Sequence, residues 1–167
     1  MSSLIRLLAL LSLLLTSALF GFFYAWVCST MWGLDAADPR VAIAAMQAMN
    51  ASVRNAIFAP AFFGTSIALL MTTIALWRAA NRPAAVWFGT ATVLVTVLGV
   101  VLTMAVNVPM NQALAHQTVP QEITTARAIW LEYSPNWQFW NQIRTIATGF
   151  AVLCVGVGFL KFSRPLV

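Results

Sequence analysis

The sequence predicts an all-α membrane protein, a four-helix transmembrane bundle with short extracytoplasmic amphipathic helices. Of its 167 residues, 61% are hydrophobic and only 8% are charged, whereas charged residues make up about 25% of a typical soluble chain. The charges are separated by apolar runs long enough to cross a hydrocarbon core of about 30 Å as helices. These runs do not alternate as barrel strands do. We therefore expect residues 1–167 to form a single membrane domain.

The first predicted span covers about residues 7–27. It follows Arg6, and no further charge occurs before Asp35. A cleaved signal peptide has a shorter apolar core than this run, which continues through an aromatic stretch ending at Trp26. We expect an uncleaved transmembrane helix here.

The other three spans are predicted at about residues 56–77, 84–106 and 140–160. Between the first span, at about 7–27, and the second, at about 56–77, Asp38 followed by Pro39 is typical of a helix start and predicts an amphipathic helix. A second short helix is predicted to begin after Pro120 and to run to Leu131, and the fourth span helix to begin near Pro135. Small residues on that last helix predict a close packing surface, formed by Gly149, Gly156 and Gly158.

The distribution of charge predicts the orientation. All four acidic residues lie on one side of the predicted spans, and the other side carries basic residues alone, namely Arg6, Arg78, Arg82, Lys161 and Arg164. Because basic residues favour the cytoplasmic side, we expect both termini in the cytoplasm and the chain in the cell (inner) membrane.

Several classes of function are excluded by the sequence. The net charge of +5 is scattered between apolar runs, so we predict no nucleic-acid partner. Cys28 and Cys154 lie alone within apolar runs and are expected to act as packing residues. With a single histidine, His116, we predict no metal centre, and no phosphate loop or dinucleotide fingerprint is present.

Arg144 is the polar residue that most needs a reason, because only 16 uncharged residues follow it before Lys161. Trp137, Asn141 and Arg144 share one helix face. One interpretation is an interfacial anchor, with Trp137 and Trp140 in the aromatic belt. The other is a cation buried inside the bundle, with Glu132 as its expected charge partner.

Two further polar stripes are predicted at the same membrane face. Gln47, Asn50 and Arg54 lie on one side of the amphipathic helix, either as a wet surface or as part of a site. Asn107 and Asn111 flank Pro109, where their amides would either satisfy freed carbonyls or bind a ligand. Because topology brings the stripes together, we predict a small polar binding site.

Taken in order along the chain, these residues resemble the DUF1772 family, which includes the fungal anthrone oxygenases. The resemblance is carried by the run from Gly21 to Ala25, by Met46, Gln47 and Asn50, by Asn107, Pro109 and Asn111, and by Trp130, Tyr133, Trp137, Trp140, Asn141 and Arg144. It covers nearly the whole chain. It implies a four-helix membrane protein with Asn107, Asn111, Trp140, Asn141 and Arg144 as signature positions.

The resemblance also implies oxidation of a hydrophobic aromatic or quinone-like molecule by dioxygen, with no conventional cofactor. Arg144 would stabilise an enolate, and His116, Glu132 and Tyr133 are the candidate bases. The alternative is a non-catalytic membrane protein that binds a lipid, a quinone or a partner protein. Whether the protein is an enzyme and whether it forms a homo-oligomer are left open. The expected partners are the lipid bilayer and a hydrophobic small molecule.

Overall fold

The structure is a computed structural model that describes residues 2–162, so that Arg164 lies outside the described residues. The described residues form helices and contain no strand. A short helix, α2, covers Pro39–Ser52. Four described helices are long and apolar enough to cross a membrane, namely α1 (Ser3–Ala36), α3 (Phe58–Arg78), α4 (Arg82–Ala115) and α5 (Ile123–Leu160). The predicted all-α fold with four candidate spans is confirmed.

The four long helices form an antiparallel bundle. α1 packs against α3 and α5, and α4 packs against the same two helices. Leucines such as Leu7, Leu14 and Leu153 are exposed around the outside, as expected where the surrounding solvent is lipid. The bundle therefore directs its few polar side chains inward, where other helices can satisfy them.

α1 and α5 are much longer than the about 20 residues that a bilayer needs, with 34 and 38 residues respectively. Their overhanging ends pack together with α2 and the end of α4. α2 begins as predicted, because the Asp38 carboxylate caps the backbone N–H of Arg40 and Pro39 occupies the first turn. This assembly of helix ends covers one end of the bundle.

The predicted break between a short outer helix and the fourth span is wrong. α5 is continuous from Ile123 to Leu160 and passes through Pro135. A proline removes one backbone hydrogen bond, and its ring displaces one carbonyl. Pro135 is exposed, so that carbonyl lies on the outer face, while Tyr133, Ser134 and Trp137 are buried and anchor the helix by packing.

The two ends of the bundle differ in packing. The packed half, around Leu76, Phe88 and Val155, has a dense apolar core. A Cβ on Gly158 would lie 2.7 Å from two ring carbons of Phe88, so glycine is required for this close approach. The predicted packing role of Gly156 is wrong, because a Cβ there would meet no atom within 4 Å. The other end, the cavity half, carries the buried asparagines and the buried Arg144.

Candidate functional site

A cavity of about 650 Å³ lies in the cavity half, between α1, the start of α3, the second half of α4 and α5. The C-terminal turn of α2 closes it on the outside. This volume falls within the range of about 300–1,000 Å³ that ligand pockets occupy. Seven aromatic residues line the cavity, namely Phe22, Phe23, Trp26, Phe58, Phe62, Phe63 and Trp137.

Arg144 lies in the cavity wall and is 4% exposed. Its Nη1 donates to Thr103 Oγ1 over 3.0 Å, and its Nη2 donates to Asn141 Oδ1 over 2.8 Å. The guanidinium carbon lies 4.6 Å from the ring centroid of Phe23 and 5.3 Å from that of Trp137. Both rings offer their π faces to the cation. Arg144 is therefore a buried cation and not an interfacial anchor.

The prediction that Glu132 pairs with Arg144 is wrong. Glu132 is exposed, and the one ion pair described within residues 2–162 joins Arg40 to Asp38. Because α5 is continuous, Glu132 and Arg144 are twelve positions apart on one helix, which separates them by about 18 Å along its axis. The cation is held by neutral groups alone, which leaves its charge without an anion.

The shared face of Trp137, Asn141 and Arg144 is confirmed, since all three are at least 96% buried. Asn141 also donates from Nδ2 to the backbone carbonyl of Phe23, over 3.2 Å. This bond fixes the amide so that its oxygen points to Arg144. α1 and α5 therefore hold the guanidinium together.

Asn111 connects three helices at the other end of the cavity. Its Oδ1 accepts from Tyr133 Oη over 2.8 Å and from Trp137 Nε1 over 2.9 Å. Its Nδ2 donates to Asn50 Oδ1 over 3.0 Å. Two donors on one oxygen fix the orientation of the amide. Asn111 thereby positions the Trp137 indole, which is shared between this end of the cavity and Arg144.

Two of the helices that flank the cavity, α1 and α4, contain π-helical turns. α1 is π-helical over Trp26–Thr30, and α4 is π-helical over Leu94–Val101 and Thr103–Asn107. Pro109 explains the last segment, because the ring cannot follow a regular turn without a clash four residues back. The wider turn lets the Val108 N–H bond to the carbonyl of Thr103. Such turns are frequent at functional sites.

Several buried polar atoms at the site have no partner within the described residues. They are Arg144 Nε, Asn50 Nδ2, and both Nδ2 and Oδ1 of Asn107. Thr103, Asn107 and Asn111 recur every fourth residue, so Asn107 lies between the two residues that contact α5. Buried polar atoms are normally satisfied by protein, water or ligand. Of these residues, Asn50 and Arg144 line the cavity, whereas Asn107 lies behind its wall.

The remaining predicted site residues lie apart from the cavity wall. Gln47 Nε2 donates to the carbonyls of Leu114 and Gln117, over 2.8 and 2.9 Å, and thereby holds α2 against the end of α4. His116 is exposed at the end of α4. Trp140 packs edge-on against Phe139. Of the predicted set, the residues that line the cavity are Asn50, Arg54, Asn111, Trp137 and Arg144.

The sequence did not identify the aromatic residues of the cavity wall, or Thr103, as part of the site. Aromatic residues near the end of a span are typical of a membrane interface. Here, however, Phe22 packs on Phe58 inside the bundle, with ring centroids 4.7 Å apart. A usable signal was present, because Phe22 and Trp26, and likewise Phe58 and Phe62, are spaced four residues apart on one helix face.

Asp35 was also missed as a structural residue. It accepts hydrogen bonds from Trp130 Nε1 over 2.9 Å, from Ser134 Oγ over 2.7 Å and from Gln138 Nε2 over 2.9 Å. These three donors come from consecutive turns of α5, whereas Asp35 ends α1. The carboxylate therefore fastens together the overhanging helix ends above the cavity.

Outside the spans, two carboxylates cap helices. Hydrogen bonds from Arg40 hold the pKa of Asp38 at about 2. Hydrogen bonds from Thr124 and Thr125 hold the pKa of Glu122 at about 2. Both are engaged with the starts of helices. Within residues 2–162, no group of three His, Cys, Asp or Glu residues lies close enough together to bind a metal ion.

A sequence model of one protein family, described as anthrone oxygenase, matches residues 49–154 of the chain. The matched segment includes Asn50, Asn107, Asn111, Trp137 and Arg144. No curated protein matches the chain, and no solved structure matches it.

Proposed function

This chain belongs to the anthrone oxygenase family, and from that premise we propose that it is a membrane-embedded oxygenase acting on a hydrophobic aromatic or quinone-like molecule. The observation that carries the proposal is the buried Arg144 cation, which faces an aromatic cavity and has no anionic partner in the described residues. The four apolar helices make the chain a multi-pass membrane protein.

The proposed reaction converts an activated ring methylene to a carbonyl. One dioxygen is consumed, one of its atoms enters the ring carbonyl, and the other leaves as water with the two methylene hydrogens. Loss of a proton from the methylene gives an enolate, which dioxygen then oxidises. Arg144 stabilises the negative oxygen of that enolate as a preorganised donor at a buried position in the wall. The proposal assigns dioxygen as co-substrate and no further cofactor.

The cavity wall favours a flat aromatic substrate. Aromatic side chains bind rings by offset stacking or edge contacts, and Phe23 and Trp137 both lie against the guanidinium. A ring held between them would place an oxygen substituent near Arg144. Asn111 and Asn50 would contact a second polar substituent at the other end of the cavity. Apolar molecules of this kind partition into lipid and would reach the cavity from the bilayer.

A second candidate function is non-catalytic binding of a quinone or lipid. The observation that favours it is the composition of the cavity wall, which contains no carboxylate, imidazole or thiol among the described residues. Binding alone would use the same aromatic faces and the same donors.

The deciding experiment is dioxygen uptake by the purified protein in lipid nanodiscs with 1,8-dihydroxy-9-anthrone. We expect uptake of one dioxygen per anthrone above the rate in empty nanodiscs, with formation of the anthraquinone. Metal analysis of the same sample tests the absence of a metal cofactor. Saturable anthrone binding with uptake no faster than in empty nanodiscs would favour the non-catalytic function and overturn the oxygenase.

We further propose that the protein lies in the cell (inner) membrane with both termini cytoplasmic and the cavity half facing outward. The proposal rests on the clustering of basic residues. In a chain whose native cysteines are replaced, Thr118→Cys should react with an impermeant thiol reagent added outside, and Asn81→Cys should not. The reverse labelling pattern would overturn the orientation.

A further inference from the structure

The cavity contains hydrogen-bond donors and positive charge, but no base. Its charged residues are Arg144 from α5 and Arg54 from the segment after α2. The rest of the polar part of the wall is uncharged and includes Asn50, Thr103 and Asn111. No Asp, Glu, His, Lys or Tyr side chain from residues 2–162 lines it.

Among the buried polar atoms without a partner in and behind the cavity wall, within the described residues, donors outnumber acceptors. Arg144 Nε, Asn50 Nδ2 and Asn107 Nδ2 have no acceptor. The oxygens that could have served them are engaged, since Asn141 Oδ1 accepts from Arg144 and Asn111 Oδ1 accepts twice. One acceptor, Asn107 Oδ1, remains without a donor. A ligand with an oxygen acceptor that carries negative charge would complement Arg144 and Asn50, the two of these residues that line the cavity.

The titratable groups described below, on the helices around the cavity, either form hydrogen bonds to other side chains or are exposed outside the cavity. On α1, Asp35 accepts three hydrogen bonds from α5, and Tyr24 is exposed. On α4, His116 is exposed, and on α5 so is Glu132. The Tyr133 hydroxyl donates a hydrogen bond to Asn111 Oδ1. It therefore acts as a hydrogen-bond donor there and not as a base.

We propose that the site takes its ligand already ionised, as the phenolate or enolate of an acidic hydroxylated ring, and that no side chain of the cavity removes the proton. The proton passes to bulk water before or during entry, and the oxyanion binds at Arg144. The only bond broken in this step is the O–H bond of a phenol or, for an enolate, the C–H bond of the activated methylene. The inference concerns the ionisation of the ligand. It rests on the proposed function only where that oxyanion goes on to react with dioxygen.

The physical basis is the unbalanced charge. A guanidinium remains protonated throughout the physiological range, and an opposite charge within about 4–6 Å lowers the pKa of an acid by about 1–3 units. Here the cation has no protein anion to compete with the ligand. A phenol whose pKa lies somewhat above neutral would therefore bind as its anion at neutral pH.

The test uses 2-hydroxyanthraquinone, which has no methylene to oxidise and whose phenolate absorbs at longer wavelength than the phenol. Its absorbance is titrated against pH in nanodiscs with wild-type protein, with Arg144→Gln, with Arg144→Lys and without protein. We expect the midpoint of the bound probe to fall by about 1–3 pH units with wild-type protein. The shift should be kept in Arg144→Lys and lost in Arg144→Gln. Arg127→Gln, an exposed cation on the same helix, is the matched control and should keep the shift.

A comparison that needs no variant uses 2-methoxyanthraquinone, which cannot ionise. We expect it to bind wild-type protein at least tenfold more weakly at neutral pH. An unshifted or raised midpoint in the wild type, or equal binding of the two probes, would overturn the inference. A shifted midpoint without anthrone-dependent dioxygen uptake would overturn the oxygenase function alone. Dioxygen uptake with an unshifted midpoint would overturn the ionised-ligand inference alone.

Discussion

The packed half and the cavity half are built from the same helices, yet they treat their interiors differently. In the packed half, Phe88 fills the space over Gly158 so closely that an added methyl group would collide with it. In the cavity half, the helices leave about 650 Å³ open and bury Arg144 without an anion. Dense apolar packing supplies stability, whereas orphaned polar groups and irregular turns lower it.

The difference teaches that the stability of this bundle and its function are carried by separate regions. The π-helical turns over Trp26–Thr30 and Thr103–Asn107, the unpartnered atoms of Asn50, Asn107 and Arg144, and the cavity all lie in one half. Local features that conflict with the rules of stable packing are expected at functional sites. The packed half then supplies the rigid support on which such a site depends.

The largest expected effect of any single change is on catalysis at Arg144. Arg144→Gln removes the charge and keeps an amide donor, so we expect dioxygen uptake with 1,8-dihydroxy-9-anthrone to fall about 10²–10³-fold, the usual effect of losing an oxyanion donor. Arg127→Gln should keep the wild-type rate. Equal rates for wild type and Arg144→Gln would remove the catalytic role of the cavity half.

The next effect concerns Asn111, whose replacement should weaken the cavity half from within. Asn111→Leu leaves the Tyr133 hydroxyl and the Trp137 indole without an acceptor, and each buried donor so abandoned costs about 1–3 kcal/mol. We expect a lower unfolding temperature and altered tryptophan fluorescence. Asn136→Ala, on an exposed part of α5, is the control. Unchanged stability in Asn111→Leu would mean that this connection contributes nothing.

A pair of glycine substitutions tests the packed half. Gly158→Ala forces Phe88 to shift and should destabilise the protein by about 1–3 kcal/mol through overpacking. Gly156→Ala meets open space and should be neutral or stabilising by up to about 1 kcal/mol, because alanine favours the helix. Thermal unfolding in detergent measures both. If the two substitutions had the same effect, the dense packing of this half would be refuted.

The smallest effect is a local pH dependence at the start of α5. Glu122 has its pKa lowered from 4.5 to about 2, so its cap contributes fully above about pH 4.5 and is lost as pH falls towards 2. After correction for the intrinsic rate, amide exchange at Thr124 and Thr125 should accelerate as pH falls through this window. Glu122→Gln should make exchange there independent of pH after correction for the intrinsic rate. A wild-type protein with no such acceleration would contradict the role of the cap.

The sequence allowed the spans and one site face to be predicted, because both follow from local periodicity. Apolar runs locate the helices whatever their neighbours are, and helical spacing places Asn141 beside Arg144. The partner of Arg144 could not be predicted in the same way. A break at Pro135 would have let Glu132 fold back towards the cation, and only packing along the whole of α5 decides that the helix continues.

The aromatic wall was out of reach for a related reason. Phe22 and Phe58 are far apart in sequence, and an aromatic residue near the end of a span is equally typical of a membrane interface. Which residues face a cavity depends on how far apart the helices lie. That separation depends on how all four helices pack together, which no local pattern along the chain shows.

The most direct test of the division between the two halves is thermal unfolding of wild type and Arg144→Gln, with and without 2-hydroxyanthraquinone. Without the probe, we expect Arg144→Gln to match or exceed the wild type, because a buried cation without an anion is removed. With the probe at about 100 times its Kd, the wild type should gain about 2.7 kcal/mol and Arg144→Gln much less. A variant that is about 3–5 kcal/mol less stable without the probe, and that gains as much as the wild type with it, would contradict the account.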